Sequence, residues 1–367
     1  MLFVRMIFIA IPMFLFFGCA PSQEVTKRYF WPLLSDDPKI EYISSYQSDY
    51  DIEKETVSAI ELAIFGREAP VSVFSHPYDV LSNGGGKFYV SEPVGGFVHA
   101  IDLVTGQLEK LRDRKGNIKS FVQPMGLAGD SIGQLYVVDA KKKKICIYNS
   151  EEKLLDEWFL DGINRPVNLA VDESRSRIYV VSPDDHQVFV YSAKTRENVY
   201  KIGRRGTAQG EFNFPVDLDL DMNGNLFVLD ALNARVQVFD ADGKFLRSFG
   251  ERGTALGSFQ MPKGIAVSPS GHVYVTDSLA HRIVVFSHDG IFLTTIGGKY
   301  PAEEGGIAPG GFYLPEGVDV DKQETIWIVD TLNRMIHRFQ YLTEDYLKEN
   351  PVLPGQAVIP QMFKPQQ

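Results

Sequence analysis

Residues Phe214–Gly250, FPVDLDLDMNGNLFVLDALNARVQVFDADGKFLRSFG, hold four short runs in which apolar and polar residues alternate. The runs are Val216–Leu220, Leu226–Leu229, Arg235–Phe239 and Phe245–Phe249. Turn residues separate them at Asp221–Gly224, Asp230–Asn233 and Asp240–Gly243. A period of two between turn signals predicts four antiparallel strands in a meander. The chain's 25 Phe and 16 Tyr suit strands, and its 32 Gly and 20 Pro are scattered as turn punctuation.

The same unit recurs along the chain. Each copy opens on a proline: Pro77, Pro124, Pro166, Pro215, Pro262 and Pro315. A strand follows, such as GLAG, NLAV, DLDL, GIAV or GVDV. A second strand of the type LYVV or VYVT then ends in Asp139, Asp230, Asp277 or Asp330, with Glu92 in the first copy and Ser182 in the third. The third strand reads FVHAID, ICIYN, VFVYS, VQVFD, IVVFS and MIHRFQ. Four strands repeated at roughly 40 to 55 residues are the mark of a β-propeller. The linkers Gly203–Phe212 and Gly250–Phe259 are almost the same sentence, GRRGTAQGEF and GERGTALGSF.

With the opening Pro, the YVxD strand and the RxxVF strand, these linkers resemble the NHL repeat family of six-bladed propellers. The resemblance covers Ile40 to Tyr341 and is most specific in blades four to six. The first blade lacks both the Asp and the Arg, and no GH…WD pair of a WD-type repeat occurs. The expected fold is therefore all-β, a six-bladed β-propeller of four-stranded antiparallel blades. Blade six has no outer strand of its own, because a Pro/Gln-rich tail (342–367) follows Tyr341. The lone strand Ile40–Tyr46 is expected to close the ring beside Met335–Gln340, since a ring must leave no exposed edge. Asp49–Arg67 reads as an irregular excursion with a short helical turn around Ser58–Ile64.

The N-terminus is a separate object. Arg5, the apolar run Met6–Phe17 and Gly18 describe a secretory signal in residues 1–18. The run is too short for a membrane span. Phe16-Phe17-Gly18-Cys19 resembles the bacterial lipobox, which implies that Cys19 is the lipidated first residue; Phe16 departs from the usual Leu. Residues 19–39, with Pro21, Pro32 and Pro38, read as a tether. The resemblance implies a lipoprotein of the cell envelope, and Ala20 after the cysteine points to the outer membrane. The only other cysteine, Cys146, reads as a small buried residue, so no internal disulfide is expected. A formal charge of −10 argues against nucleic acid. Lys141–Lys144 reads as a solvated hairpin tip. No CxxCH is present, so this chain is not expected to bind haem.

Two sets of residues compete for chemistry. The recurring Asp230/Asn233/Arg235, Asp277/Arg282 and Asp330/Asn333/Arg334 read as turn-builders. A group repeated once per blade is structural, whereas a catalytic site needs different groups converging. The second set follows each proline by two residues: Asp79, Gly126, Asn168, Asp217, Gly264 and Gly317. These begin the innermost strands, where glycine lets backbones approach closely. Lys263 and Glu316 precede two of the glycines, and Asp219 and Asp319 stand where three other blades have alanine.

Carboxylates at the axis, Asp79 and Asp217 first, suit a hard cation such as Ca²⁺; the other reading is a water-filled tunnel, and no cofactor is expected. The resemblance brings enzymes into view as well. Peptidyl-amidoglycolate lyases hold channel metals with His, and paraoxonase-type lactonases use Ca²⁺ with Asn and Asp. The seven histidines here do not recur at one innermost position, and His76 with Asp79 is the single enzyme-like pair. No GxSxG, P-loop or HExxH occurs. The expected function is a lipid-anchored binding or scaffolding module for a protein partner. The alternative is a metal-dependent hydrolase or lyase acting at the channel.

Overall fold

A computed structural model describes residues 27–33, 37–53, 69–300 and 308–358. The expected signal peptide, Cys19 and the helical turn at Ser58–Ile64 lie outside the described residues. Among the described residues no helix is long and apolar enough to cross a membrane.

Six blades, each antiparallel through its four strands, surround one axis, and Gly298–Lys299 pairs parallel with Gly311–Phe312 in a small separate sheet. From the innermost strand outward, blade one runs Asp79–Gly84, Lys87–Glu92, Phe97–Asp102 and Gln107–Lys110. Blade four, built from the unit described first, runs Pro215–Leu220, Leu226–Asp230, Arg235–Phe239 and Phe245–Phe249. Blade six runs Pro315–Val320, Thr325–Asp330 and Met335–Tyr341, and its fourth strand is Ile40–Tyr46. That strand pairs antiparallel with Met335–Tyr341, Ile40 opposite Tyr341 and Tyr46 opposite Ile336. The closure expected from the orphan strand is present.

Alternation decides how blades adhere. In the second strand of blade four every residue from Leu226 to Asp230 is buried, because successive side chains point toward opposite neighbouring blades. Phe227 and Leu229 meet Ile265, Val267, Val273 and Val275 of blade five. Leu226 and Val228 meet Tyr179, Val181 and Val190 of blade three. At the seam between last and first blades, Trp327 stacks on Phe88 with ring centroids 4.6 Å apart.

The repeated linker is a loop with one requirement. Gly203, Gly250 and Gly297 all have positive φ, and a Cβ on any of them would strike the ring of Phe212, Phe259 or Phe312 at 2.3–2.4 Å. The third copy interrupts its glycine and phenylalanine with a longer insertion, which hides it from sequence comparison.

One boundary differs from expectation. Arg28–Trp31, read as tether, is a strand beside Ile40–Tyr46, because Phe30 and Trp31 are buried there. The tail is held to the body as far as it is described. A helix, Glu344–Glu349, precedes Ala357–Val358, which pairs parallel with Arg28–Tyr29.

Candidate functional site

Each innermost strand starts at its proline on one side of the disc and ends on the other. The side bearing the prolines and the turns between second and third strands is called the entry face; the opposite side is the mouth face. The innermost strands of all six blades enclose a cavity of about 480 Å³ on the mouth side, walled by Asp79, Asn168, Asp217, Asp219 and Asp319 among aliphatic residues.

Toward the entry face the residues two beyond each proline bring neighbouring innermost strands into close contact. A Cβ on Gly126 would lie 2.1 Å from Asn168 Oδ1, one on Gly264 2.4 Å from the Glu316 carbonyl oxygen, and one on Gly317 2.6 Å from Asp79 Oδ1. Glycine is required at all three places, as expected at a crowded axis.

The wall carboxylates tie blades together. Asp79 of blade one accepts the Leu127 N–H of blade two at 2.9 Å. Asp217 of blade four accepts the Ile265 N–H of blade five at 2.7 Å and the Asn168 side-chain N–H of blade three at 2.5 Å. Asp219 accepts the Val267 N–H, also at 2.7 Å. Asp319 of blade six accepts the Ser82 N–H of blade one at 2.7 Å, across the ring's closing seam.

Burial raises these carboxyl groups above the ordinary range. Asp219 is pushed up to about 6 and Asp319 to about 8, with donated backbone N–H groups opposing burial in both. Asp79 and Asp217 are both raised, by burial first, and for Asp217 next by repulsion from Asp79.

The remaining predicted residues lie apart from this cavity. Lys263 Nζ stands 3.8 Å from Glu316 Oε1 on the entry side, and burial raises Glu316 against the opposing charges of Lys263 and His76. His76 is exposed, its backbone N–H held by Glu92. His76 and Asp79 are therefore not brought together as a working pair. Among the described residues no three His, Cys, Asp or Glu side chains are placed to hold a metal ion. The donor set does not fit the Ca²⁺ reading, because the axial carboxylates face backbone N–H groups.

The recurring acids are staples. Asp139 accepts the N–H of Val122 and Gln123, and Asp277 those of Gln260 and Met261, just before the proline that opens the same blade. Arg235 adds an ion pair to Asp230 at 3.0 Å. Blade six departs from the expected pattern. Arg334 follows Asp330 by one residue fewer than Arg235 follows Asp230, so it occupies the left-handed turn position with φ 56°. His337, fully buried, contacts Asp330 in its place at 3.2 Å. Two more histidines brace the ring: His186 and His281 accept the N–H of Phe214 and Leu314 through Nδ1. Cys146 is buried, and burial pushes its thiol up to about 12.

Sequence reasoning missed the lip of the cavity: Asp172, Glu173, Asp221, Met222 and Lys322. The signal was present in Asp217-Leu-Asp-Leu-Asp221, where alternate residues are acidic. Asp221 caps its own turn, accepting the N–H of Asn223 and Asn225, and also meets His288 Nε2 at 2.8 Å.

The comparisons agree with this architecture. The NHL repeat profile matches residues 259–286, from the linker phenylalanine through the third strand of blade five. A profile described as a 6-bladed beta-propeller matches residues 166–248, blades three and four. A probable peptidyl-alpha-hydroxyglycine alpha-amidating lyase of Caenorhabditis elegans is 32% identical over 108 residues, 28% of this chain. The match spans 31% of that relative's length.

Among solved structures, a streptogramin B lyase is 14% identical with a TM-score of 0.54, covering 73% of this chain and 94% of its own. A structural-genomics protein of unknown function from Bacteroides thetaiotaomicron is 14% identical with a TM-score of 0.61, covering 83% of this chain and 78% of its own. Hydrazine synthase of Kuenenia stuttgartiensis is 12% identical with a TM-score of 0.51, covering 75% of this chain and 98% of its own. At such identities the likeness is one of fold. The chain is an all-β, six-bladed β-propeller that carries the NHL repeat.

Proposed function

We propose that this propeller is a lipid-anchored binding module of the cell envelope, whose partner engages the open end of the axial cavity. One observation carries the reading. A cavity of about 480 Å³ opens on the mouth face, while each wall carboxylate is committed to a backbone N–H of its own or a neighbouring blade. Such a wall holds shape and offers no nucleophile–base pair, while Asp172 and Asp221 at the lip, held below the ordinary carboxylate range, supply negative potential, which suits recognition of a cationic group on a protein partner.

A photo-crosslinking side chain at Met222, 84% exposed on the lip, tests this in intact cells. A discrete crosslinked protein is expected, and it disappears in Asp172→Asn/Asp219→Asn. Crosslinking that is absent, or unchanged by those substitutions, contradicts the reading.

The second reading, a metal-dependent lyase, is supported by the lyase names of the curated relative and of one structural neighbour. It predicts turnover of a peptidyl-α-hydroxyglycine substrate and a stoichiometric metal in pure protein. The charged groups at the axis provide no three-residue metal set among the described residues, so the binding reading is preferred.

A further inference from the structure

Leu232, Leu279 and Leu332 occupy one repeated position, two residues beyond the stapling aspartates of blades four, five and six. They are 54%, 50% and 42% exposed. A leucine repeated at this position and left about half exposed presents an apolar surface to solvent, and Met261, 46% exposed, lies on the same arc of the entry face. The Ser278 N–H donates to the Met261 carbonyl, so the turn carrying Leu279 lies against the loop carrying Met261.

Cations surround this arc. Arg205, Arg252, Lys299 and Arg334 are exposed on its loops, against the exposed carboxylates of Glu251 on the same loops and of Asp51 and Glu53 just past the closing strand. Arg252 bridges the loops, donating to the carbonyls of Leu232 at 2.9 Å and Gln260 at 3.2 Å. The protein as a whole has a formal charge of −10. A cationic, apolar arc on an acidic molecule is complementary to an anionic surface. The mouth face has exposed apolar residues too, but Val104, Ile132, Met222 and Ile291 stand at four separate turns.

Strand direction supplies the third observation. Trp31 pairs with Ile40, which pairs with Tyr341 at the mouth-face end of blade six. Arg28 is therefore the end of its strand nearer the entry face, about halfway along Ile40–Tyr46 on the outer edge of blade six. The stretch from Cys19 to Arg28 spans at most roughly 30 Å.

We propose that the entry-face arc of blades four to six rests on an anionic phospholipid surface, with Leu232, Met261, Leu279 and Leu332 inserted among the headgroups and the arginines on lipid phosphates. The proposal rests on the lipid-anchored reading, and it leaves the cavity mouth facing away from the membrane.

The test separates the face from the acyl group. The ring is closed by Ile40–Tyr46, so the unacylated chain begun at Ala20 retains the whole described body. It is mixed with vesicles of phosphatidylcholine alone or with phosphatidylglycerol added, and sedimented. Binding to the phosphatidylglycerol vesicles is expected, with little to phosphatidylcholine and loss in high salt. Arg252→Glu/Arg334→Glu weakens it at least tenfold, on the basis of roughly fivefold per cation removed. Leu232→Asp/Leu279→Asp/Leu332→Asp abolishes it; these side chains are exposed, so circular dichroism and Tm stay unchanged. Equal binding to both vesicles, or no effect of either variant, overturns the proposal. So does absence of vesicle binding with a protein crosslinked at position 279 in cells, which gives this face to an acidic protein. Crosslinking at Met222 is independent of all these outcomes.

Discussion

Asp319 is a carboxyl group at the closing seam, accepting the Ser82 N–H at 2.7 Å and held up to about 8 by burial. Its folded value lies above the ordinary carboxylate value near 4, so between those limits the folded protein keeps a proton that the unfolded chain has lost. The group's contribution to stability is full below the unfolded value and is lost as pH rises through the folded one. Asp319→Asn retains an acceptor for Ser82 and cannot ionise. Its Tm is expected to gain on the parent by several degrees between about pH 5 and pH 8.5; a difference independent of pH contradicts this. Much at this scale was legible. Recurrence marked the aspartates as turn-builders, and the glycines two residues after three of the six prolines marked the crowded axis. The role of His337 was not, because the one-residue shift that places Arg334 in a turn shows only once strands are in register. The interblade bonds of Asp79, Asp217 and Asp219 were also hidden, since each bonds a residue about 48 positions away.

At the scale of elements, the ring depends on a strand borrowed from the other end of the chain. Ile40–Tyr46 could be assigned because blade six lacked an outer strand and an open edge is a liability. Arg28–Trp31 was missed because four residues among prolines carry too little periodicity to announce a strand. Its buried Trp31 packs edge-on to Phe339, with centroids 5.5 Å apart. Burial of Trp31, Ile40 and Tyr46 is worth about 2 kcal/mol each. A chain begun at Gln47 is therefore expected to melt roughly 10 °C lower and to self-associate through the bared edge of Met335–Tyr341. Scanning calorimetry and size-exclusion chromatography check this; a monomer of unchanged Tm contradicts the closure role.

At the scale of the whole molecule, the disc has two unlike ends. One has glycines where neighbouring inner strands crowd together and is rimmed by leucines and cations; the other opens into a cavity walled by carboxyl groups. The repeat period and strand alternation made the propeller legible, whereas the cavity arises from six strands converging at once, which no single repeat displays. The central claim is that the cavity recognises a partner rather than holding a catalytic metal. Native mass spectrometry of protein released from its own membranes in mild detergent tests it most directly. The account predicts a complex with a protein partner, in which the propeller's mass is that of its chain and acyl group. A propeller that carries one bound metal ion and no partner would contradict it.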